Sequence, residues 1–291
     1  MKTFITRTIT ALFFVAIMLG GILWNELSFF LLFFLVNFFA LQEYFKLVRN
    51  IDTEYQDISP WHKYGVLVAG CAIMMAATGS NFGGSHISIG EIGWTMALIF
   101  VLILPLGEIL MSKVFSLKSI GYSLLGLMYV TMPLALLVSL RLQPYELTPE
   151  PVGYPVGYLI PLLLIIFIWI NDTMAYIVGS LIGRTPFFPA ISPKKTIEGT
   201  VGGMILAVAA AGVFGYFWGN EWLHWPHWIG LACIAAIFGT AGDLLESRLK
   251  RLAGVKDSGT IMPGHGGFLD RFDSLLVAAP FAWIYVNFIV L

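Results

Sequence analysis

Charged residues are so sparse in this chain, and so grouped, that they cut it into nine long uncharged intervals: 8–25, 27–42, 64–90, 92–107, 119–140, 151–171, 199–220, 222–242 and 274–291. A helix that crosses a bilayer needs about 20 mostly apolar residues. Most of these intervals meet that length, and the short ones extend by snorkelling of a flanking charge. Of the 291 residues, 58% are hydrophobic and 11% charged. A water-soluble globule has roughly 25% charged residues. The mean hydropathy is +0.85. These values exclude an ordinary cytosolic enzyme, a disordered protein and a nucleic-acid binder with a basic face. The expected fold is an all-α polytopic membrane protein of about nine transmembrane helices, forming a single transmembrane domain over 1–291. In it, 1–150 supplies lipid-facing scaffold helices and the candidate dimer surface. Residues 151–291 supply the catalytic helices and loops.

The basic residues set an expected topology. With nine spans, every Lys and Arg except Arg141 falls on one side of the membrane. The positive-inside rule makes that side cytoplasmic. The N-terminus is then inside and the C-terminus outside. Lys2 and Arg7 before an apolar run also fit a cleaved leader, but an uncleaved first span is simpler in a chain that is membranous throughout. Segments 81–85 and 144–155 read as outer connectors. Trp222, Trp225 and Trp228 read as an interfacial belt, and the Phe-rich stretch 29–39 as a lipid-facing surface. Cys71 and Cys233 stand apart in apolar runs and form no CxxC pair.

A charge inside a span is costly and points to function. Three regions stand out. Asp172 lies in Asn171-Asp172-Thr173-Met174-Ala175-Tyr176, within an apolar helix. Lys194, Lys195 and Thr196 precede Glu198-Gly199 at the start of the next span. Lysines beside a helix N-terminus suit an anion, and equally serve as a flank that only sets topology. The third region is the densest in charge. It carries Asp243, Glu246, Ser247, Lys250, Arg251 and Lys256, then His265, Gly266 and Gly267, then Asp270, Arg271 and Asp273. Asp243 with Glu246, and Asp270 with Asp273, are acids three residues apart on helices. Such carboxylates suit a hard cation that also binds phosphate. The glycines allow close backbone approach, and the basic side chains match phosphate oxygens. The set fits phosphoryl or nucleotidyl transfer with a divalent metal. No phosphate-binding P-loop and no GxSxG elbow is present.

Over 247–273 the sequence resembles the CDP-diacylglycerol synthase (phosphatidate cytidylyltransferase) family. The resemblance lies in Ser247, Lys250-Arg251, Lys256-Asp257, Gly259, Pro263, His265-Gly266-Gly267 and Asp270-Arg271-Phe272-Asp273, with Met262 where Ile, Leu or Phe is usual. Asp172-Thr173-x-Ala175-Tyr176 and Ser192-Pro193-Lys194-Lys195-Thr196-x-Glu198-Gly199 look like two further family segments. The resemblance implies transfer of CMP from CTP to phosphatidate, giving CDP-diacylglycerol and pyrophosphate. It implies Mg²⁺, with K⁺ as a candidate companion, and a homodimer. It implies an inner-membrane enzyme whose site faces the cytoplasm, with membrane lipids but no nucleic acid as partners. By position, Asp243 and Asp270 would be metal ligands, with Asp273, Glu246 and Asp172 as weaker candidates. Lys194, Lys195, Lys250, Arg251, Lys256 and Arg271 would bind phosphates. His265 would either position a phosphate or act as a hinge. The alternatives are a CTP-dependent transferase or kinase for an isoprenoid or polyprenol acceptor, and an ion-coupled transporter.

Overall fold

A computed structural model describes residues 2–79, 88–111, 116–142, 156–261 and 266–290. The connectors 81–85 and 144–155, together with Met262, Pro263 and His265, lie outside the described residues. Each of the nine uncharged intervals falls on a helix. Among the described residues, seven helices are long and apolar enough to cross a membrane: Glu26–Ile51, Ile89–Leu110, Leu117–Leu142, Leu159–Ile182, Ile197–Gly219, Trp225–Leu252 and Leu269–Val290. The other two intervals correspond to a shorter apolar stretch, Thr8–Leu23, and to the helix Pro60–Ala76 of 17 residues.

The chain forms two compact units. The first comprises Met1–Leu142 with Leu249–Arg271, and the second Gln143–Arg248 with Phe272–Leu291. The chain passes between them inside two of its helices.

The first unit holds α1 (Lys2–Leu23), α2 (Glu26–Ile51), α3 (Pro60–Ala76), α4 (Ile89–Met111), α5 (Leu117–Gly126) and α6 (Met132–Leu142). Asn25 starts α2 with a reciprocal cap: its side chain accepts from the Ser28 amide at 2.8 Å, and Ser28 Oγ accepts from the Asn25 amide at 3.0 Å. Along α2, Phe29, Phe33, Val36, Ala40, Leu41, Leu47 and Val48 recur at helical spacing and are buried. The Phe-rich stretch is therefore not a lipid-facing surface throughout. Phe29 and Phe33 are fully enclosed, and Leu31 and Leu35 are the exposed positions. Hydropathy cannot separate the two faces, because lipid tails and a protein core accept the same side chains. Several buried polar groups inside this unit find partners, as burial favours. Thr131 donates to Asn37 Oδ1 at 2.8 Å. Ser123 Oγ lies 2.7 Å from His62 Nε2 and 2.8 Å from the Tyr55 hydroxyl, while His62 Nδ1 stands 3.3 Å from Glu108.

The second unit holds α7 (Leu159–Ile182), a short hairpin of β1 (Pro186–Phe188) and β2 (Ser192–Thr196), α8 (Ile197–Phe214), most of α9 (Trp225–Leu252) and most of α10 (Leu269–Tyr285). The hairpin is antiparallel. α7 and α8 approach closely because small residues face each other. A Cβ on Gly203 would come within 2.7 Å of Ala175, and one on Gly199 within 2.8 Å of Gly179. Trp228 is a correction. It is 2% exposed, packs against Phe167 and Phe214, and donates its Nε1–H to the Leu223 carbonyl at 2.9 Å. It is a core residue of this unit, whereas Trp222 and Trp225 are exposed.

Candidate active site

The acids singled out in the sequence fall into two clusters, one in each unit. In the second unit the β1–β2 hairpin delivers Lys195 to α8 and α9. Thr196 caps α8, its hydroxyl accepting from the Gly199 amide at 3.2 Å. Glu198, in the first turn of α8, accepts from the Arg184 and Thr185 amides at 3.1 Å each and from the Thr185 hydroxyl at 2.7 Å. These bonds tie the end of the α7 connection to the start of α8. Lys195, near the end of β2, forms an ion pair with Asp243 Oδ2 of α9. The two side chains are about a third exposed, at 30% and 31%. Lys194, next to it, points to solvent.

Other residues of this unit divide by burial. Glu246 is fully buried one turn beyond Asp243, so these two acids do not present equal faces to solvent. Asp273 is buried, its Oδ1 accepting from the Ser274 amide at 2.6 Å. Asp172 on α7 is exposed, while its neighbour Asn171 is buried and donates to Thr240 of α9 at 3.4 Å. Ser247 is half-buried.

The cluster in the first unit is denser. Asp270 sits in the first turn of α10, where an acid is favoured by the helix dipole. Its Oδ1 faces the Lys250 ammonium at 2.6 Å. Its Oδ2 accepts from the Ser258 amide at 2.9 Å and the Gly267 amide at 2.7 Å, with the Ser258 hydroxyl at 2.9 Å. The pair is nearly enclosed, with side chains 13% and 5% exposed. Gly266 has φ +85°, and a Cβ there would stand 2.5 Å from Asp270 Oδ2. A residue other than glycine is thus excluded twice, by backbone conformation and by space. Lys256, Arg251 and Arg271 are exposed around this core, with Arg251 also 3.4 Å from the Val255 carbonyl.

A divalent cation can be tested against these donors. Among the described residues, no three His, Cys, Asp or Glu side chains converge, so a site built wholly from protein ligands is not formed by them. A cation held by one carboxylate and by substrate phosphates needs no such cluster. Asp243 fits that role. Its Oδ2 is buried and has no donor besides the Lys195 ammonium, itself a cation. Asp270 offers Oδ1, also facing an ammonium, whereas its Oδ2 is occupied by backbone and hydroxyl donors.

Comparison with known proteins places the chain. The pattern of the Cytidylyltransferase family matches residues 5–289. The chain belongs to that family. It is 35% identical to a phosphatidate cytidylyltransferase of Synechocystis sp. over 277 residues, covering 87% of this chain and 86% of the other. It is 34% identical to one of Staphylococcus saprophyticus over 283 residues, covering 94% and 95%. A Bacillus subtilis phosphatidate cytidylyltransferase is 36% identical over 189 residues, 65% and 66% of the two chains. With its apolar helices, this cytidylyltransferase is an integral membrane protein.

One residue of this cytidylyltransferase escaped the sequence reading. Glu43 of α2 is 5% exposed and reaches the same segment as Asp270. It accepts from the Ser258 hydroxyl at 2.8 Å, the Phe268 amide at 3.1 Å and the Leu269 amide at 2.8 Å. In sequence it looks like the polar flank of a span. The only hint is an acid followed within six residues by Lys46 and Arg49, in a flank that is otherwise basic.

Proposed function

We propose that this chain transfers CMP from CTP to phosphatidate, yielding CDP-diacylglycerol and pyrophosphate. The observation that carries the reading is the family match over 5–289, which includes both carboxylate–lysine clusters. A phosphatidate oxygen attacks the α-phosphorus of CTP in line. The new O–P bond forms as the bond to the β-phosphate oxygen breaks, and pyrophosphate leaves with the electron pair. The attacking oxygen is already anionic at neutral pH, so no strong general base is needed. What the reaction needs is neutralisation of two approaching anions and of the charge that builds on the leaving group.

The chain's own groups supply this. Lys195 is half-exposed and swings from Asp243 to a phosphate oxygen without breaking a buried network. Exposed Lys194, Arg251, Lys256 and Arg271 draw the polyanion in. Lys250 starts enclosed against Asp270 and is proposed to turn to phosphate when that carboxylate takes up the metal. Asp243 and Asp270 are each proposed as a Mg²⁺ ligand, and the metal, when bound, would neutralise phosphate charge. Asp172, Glu246 and Asp273 are proposed as supporting acids. The working site is proposed to face the cytoplasm, where CTP is dissolved, in the inner membrane, where the lipid resides. A homodimer is the proposed assembly, and K⁺ a proposed companion of Mg²⁺.

The test is conversion of phosphatidate to a CDP-lipid by the purified protein in detergent, with CTP, with and without Mg²⁺. Product that requires CTP and Mg²⁺ and is lost in Asp243→Asn is the expected result. Turnover of a polyprenol or isoprenoid phosphate, with none of phosphatidate, would keep the chemistry and replace the acceptor.

A further inference from the structure

Burying a carboxylate is costly unless donors replace its water. Glu43 meets that cost with a hydroxyl and two amides, all from one stretch of chain more than 200 residues away. The amides, of Phe268 and Leu269, are those that open α10, where a helix favours negative charge. Phe39, one turn earlier on α2, stacks on Phe268 with ring centroids 5.0 Å apart and planes 19° from parallel. α2 therefore grips the start of α10 at two points. Gly259 and Gly267 make room for this grip, since a Cβ on either would run into the Glu43 carboxylate.

Ser258 links the grip to Asp270. Its Oγ lies 2.8 Å from Glu43 Oε2 and 2.9 Å from Asp270 Oδ2. A hydroxyl carries one proton and donates to one acceptor at a time. When Asp270 changes partner, Ser258 still has Glu43 to donate to, and the segment around it need not come apart. We infer that Glu43 is a positioning residue for cytidylyl transfer: it anchors the first turn of α10 and, through Ser258, sets where the Asp270 carboxylate lies. The inference rests on the reading of the chain as a CTP-dependent transferase.

The test compares wild type, Glu43→Gln, Glu43→Asp and Ser258→Ala, each purified in detergent. Two quantities are read: the kinetics of CDP-lipid formation, and hydrogen exchange of the backbone amides between Ser258 and Asp270. Gln keeps the size of Glu but replaces one acceptor oxygen by an NH₂ facing amide donors. It should lower kcat by roughly 10–100-fold, the usual cost of losing a residue that orients a ligand. KM for CTP should stay near that of wild type, and the Phe268 and Leu269 amides should exchange faster. Asp, which keeps both oxygens, should recover part of kcat. Ser258→Ala should shift both quantities the same way by less. Wild-type kcat in Glu43→Gln, with or without faster exchange, would overturn the inference. If Glu43→Gln does not fold, Ser258→Ala decides: unchanged kcat and exchange there would overturn it equally. If wild type itself forms no CDP-lipid, the transferase reading fails and the positioning role falls with it. The exchange data would then report only an anchor of α10.

Discussion

The two carboxylate–lysine pairs are chemically alike and physically opposite. Lys195 and Asp243 meet across a partly exposed surface, from a hairpin and a helix, and the Asp243 oxygen that meets the lysine has no donor besides that ammonium. Lys250 and Asp270 meet in a nearly closed space, where the carboxylate is also held by two amides and a hydroxyl. An exposed pair of this kind contributes about 0–1 kcal/mol and exchanges partners readily. A buried pair is weak evidence for stability, yet removing one partner is severe, because a charge is left facing nothing suitable. The first pair is therefore suited to capture and release of an anion, and the second to holding a fixed charge in place.

The largest effect should come from Asp270→Asn. It takes the anion away from an enclosed lysine and leaves one neutral oxygen where two oxygens served the lysine and three further donors. Stability should fall by about 3 kcal/mol, read from thermal unfolding in detergent, and CDP-lipid formation should fall by roughly 10²–10³-fold. Asp243→Asn should lower activity while leaving the unfolding midpoint close to wild type. Equal destabilisation by the two substitutions would erase the contrast between the clusters.

Gly266→Ala comes next and touches only the buried cluster. A left-handed backbone costs a non-glycine residue about 1–2 kcal/mol, and the new methyl also meets Asp270 Oδ2. Lower stability together with a lower kcat is expected. A kcat equal to wild type would show that the Asp270 carboxylate has freedom that its hydrogen bonds do not suggest.

Much of this arrangement was legible in the sequence, and the exceptions have physical causes. Sparse charges placed every helix, because a bilayer penalises a charge more than any other local feature. Acids three residues apart and a glycine-rich stretch marked the Asp270 cluster. The burial of Phe29, Phe33 and Trp228 was not legible, since an apolar side chain carries the same signal toward lipid or core. The β1–β2 hairpin was missed because its strands are three and five residues long and include proline. Glu43 was missed because its partners lie at the far end of the chain. Asp243 and Glu246 look equivalent by spacing, yet only a structure shows that one is half-exposed and the other fully buried.

Lys195→Ala should act mildly and in a different way. Its partner Asp243 is partly hydrated, so folding should change by less than about 1 kcal/mol. KM for CTP should rise with little change in kcat, and the difference from wild type should shrink as salt is added, because exposed charges are screened within about 10 Å at 0.1 M. A fall in kcat that is indifferent to salt would place Lys195 with the buried cluster instead.

The smallest effect belongs to a third pair, Asp52 with Lys118, 2.5 Å apart in the first unit. Asp52 follows α2 and also accepts from the Glu54 amide at 3.0 Å. The Lys118 hydrogen bond, helped by that amide, holds its carboxyl below the usual carboxylate value. A carboxylate with a lowered folded-state value stabilises the protein above its unfolded value, and that contribution disappears as pH falls through the lower, folded one. Asp52→Asn should therefore lower the unfolding midpoint slightly at neutral pH, and the gap from wild type should close in acid, below about pH 4. Activity at neutral pH should match wild type. That outcome would separate a lysine–carboxylate pair that only secures a helix end from the two proposed to serve the reaction; an activity loss as large as that of Asp243→Asn would mean that the ion pair itself, wherever it sits, is what the reaction senses.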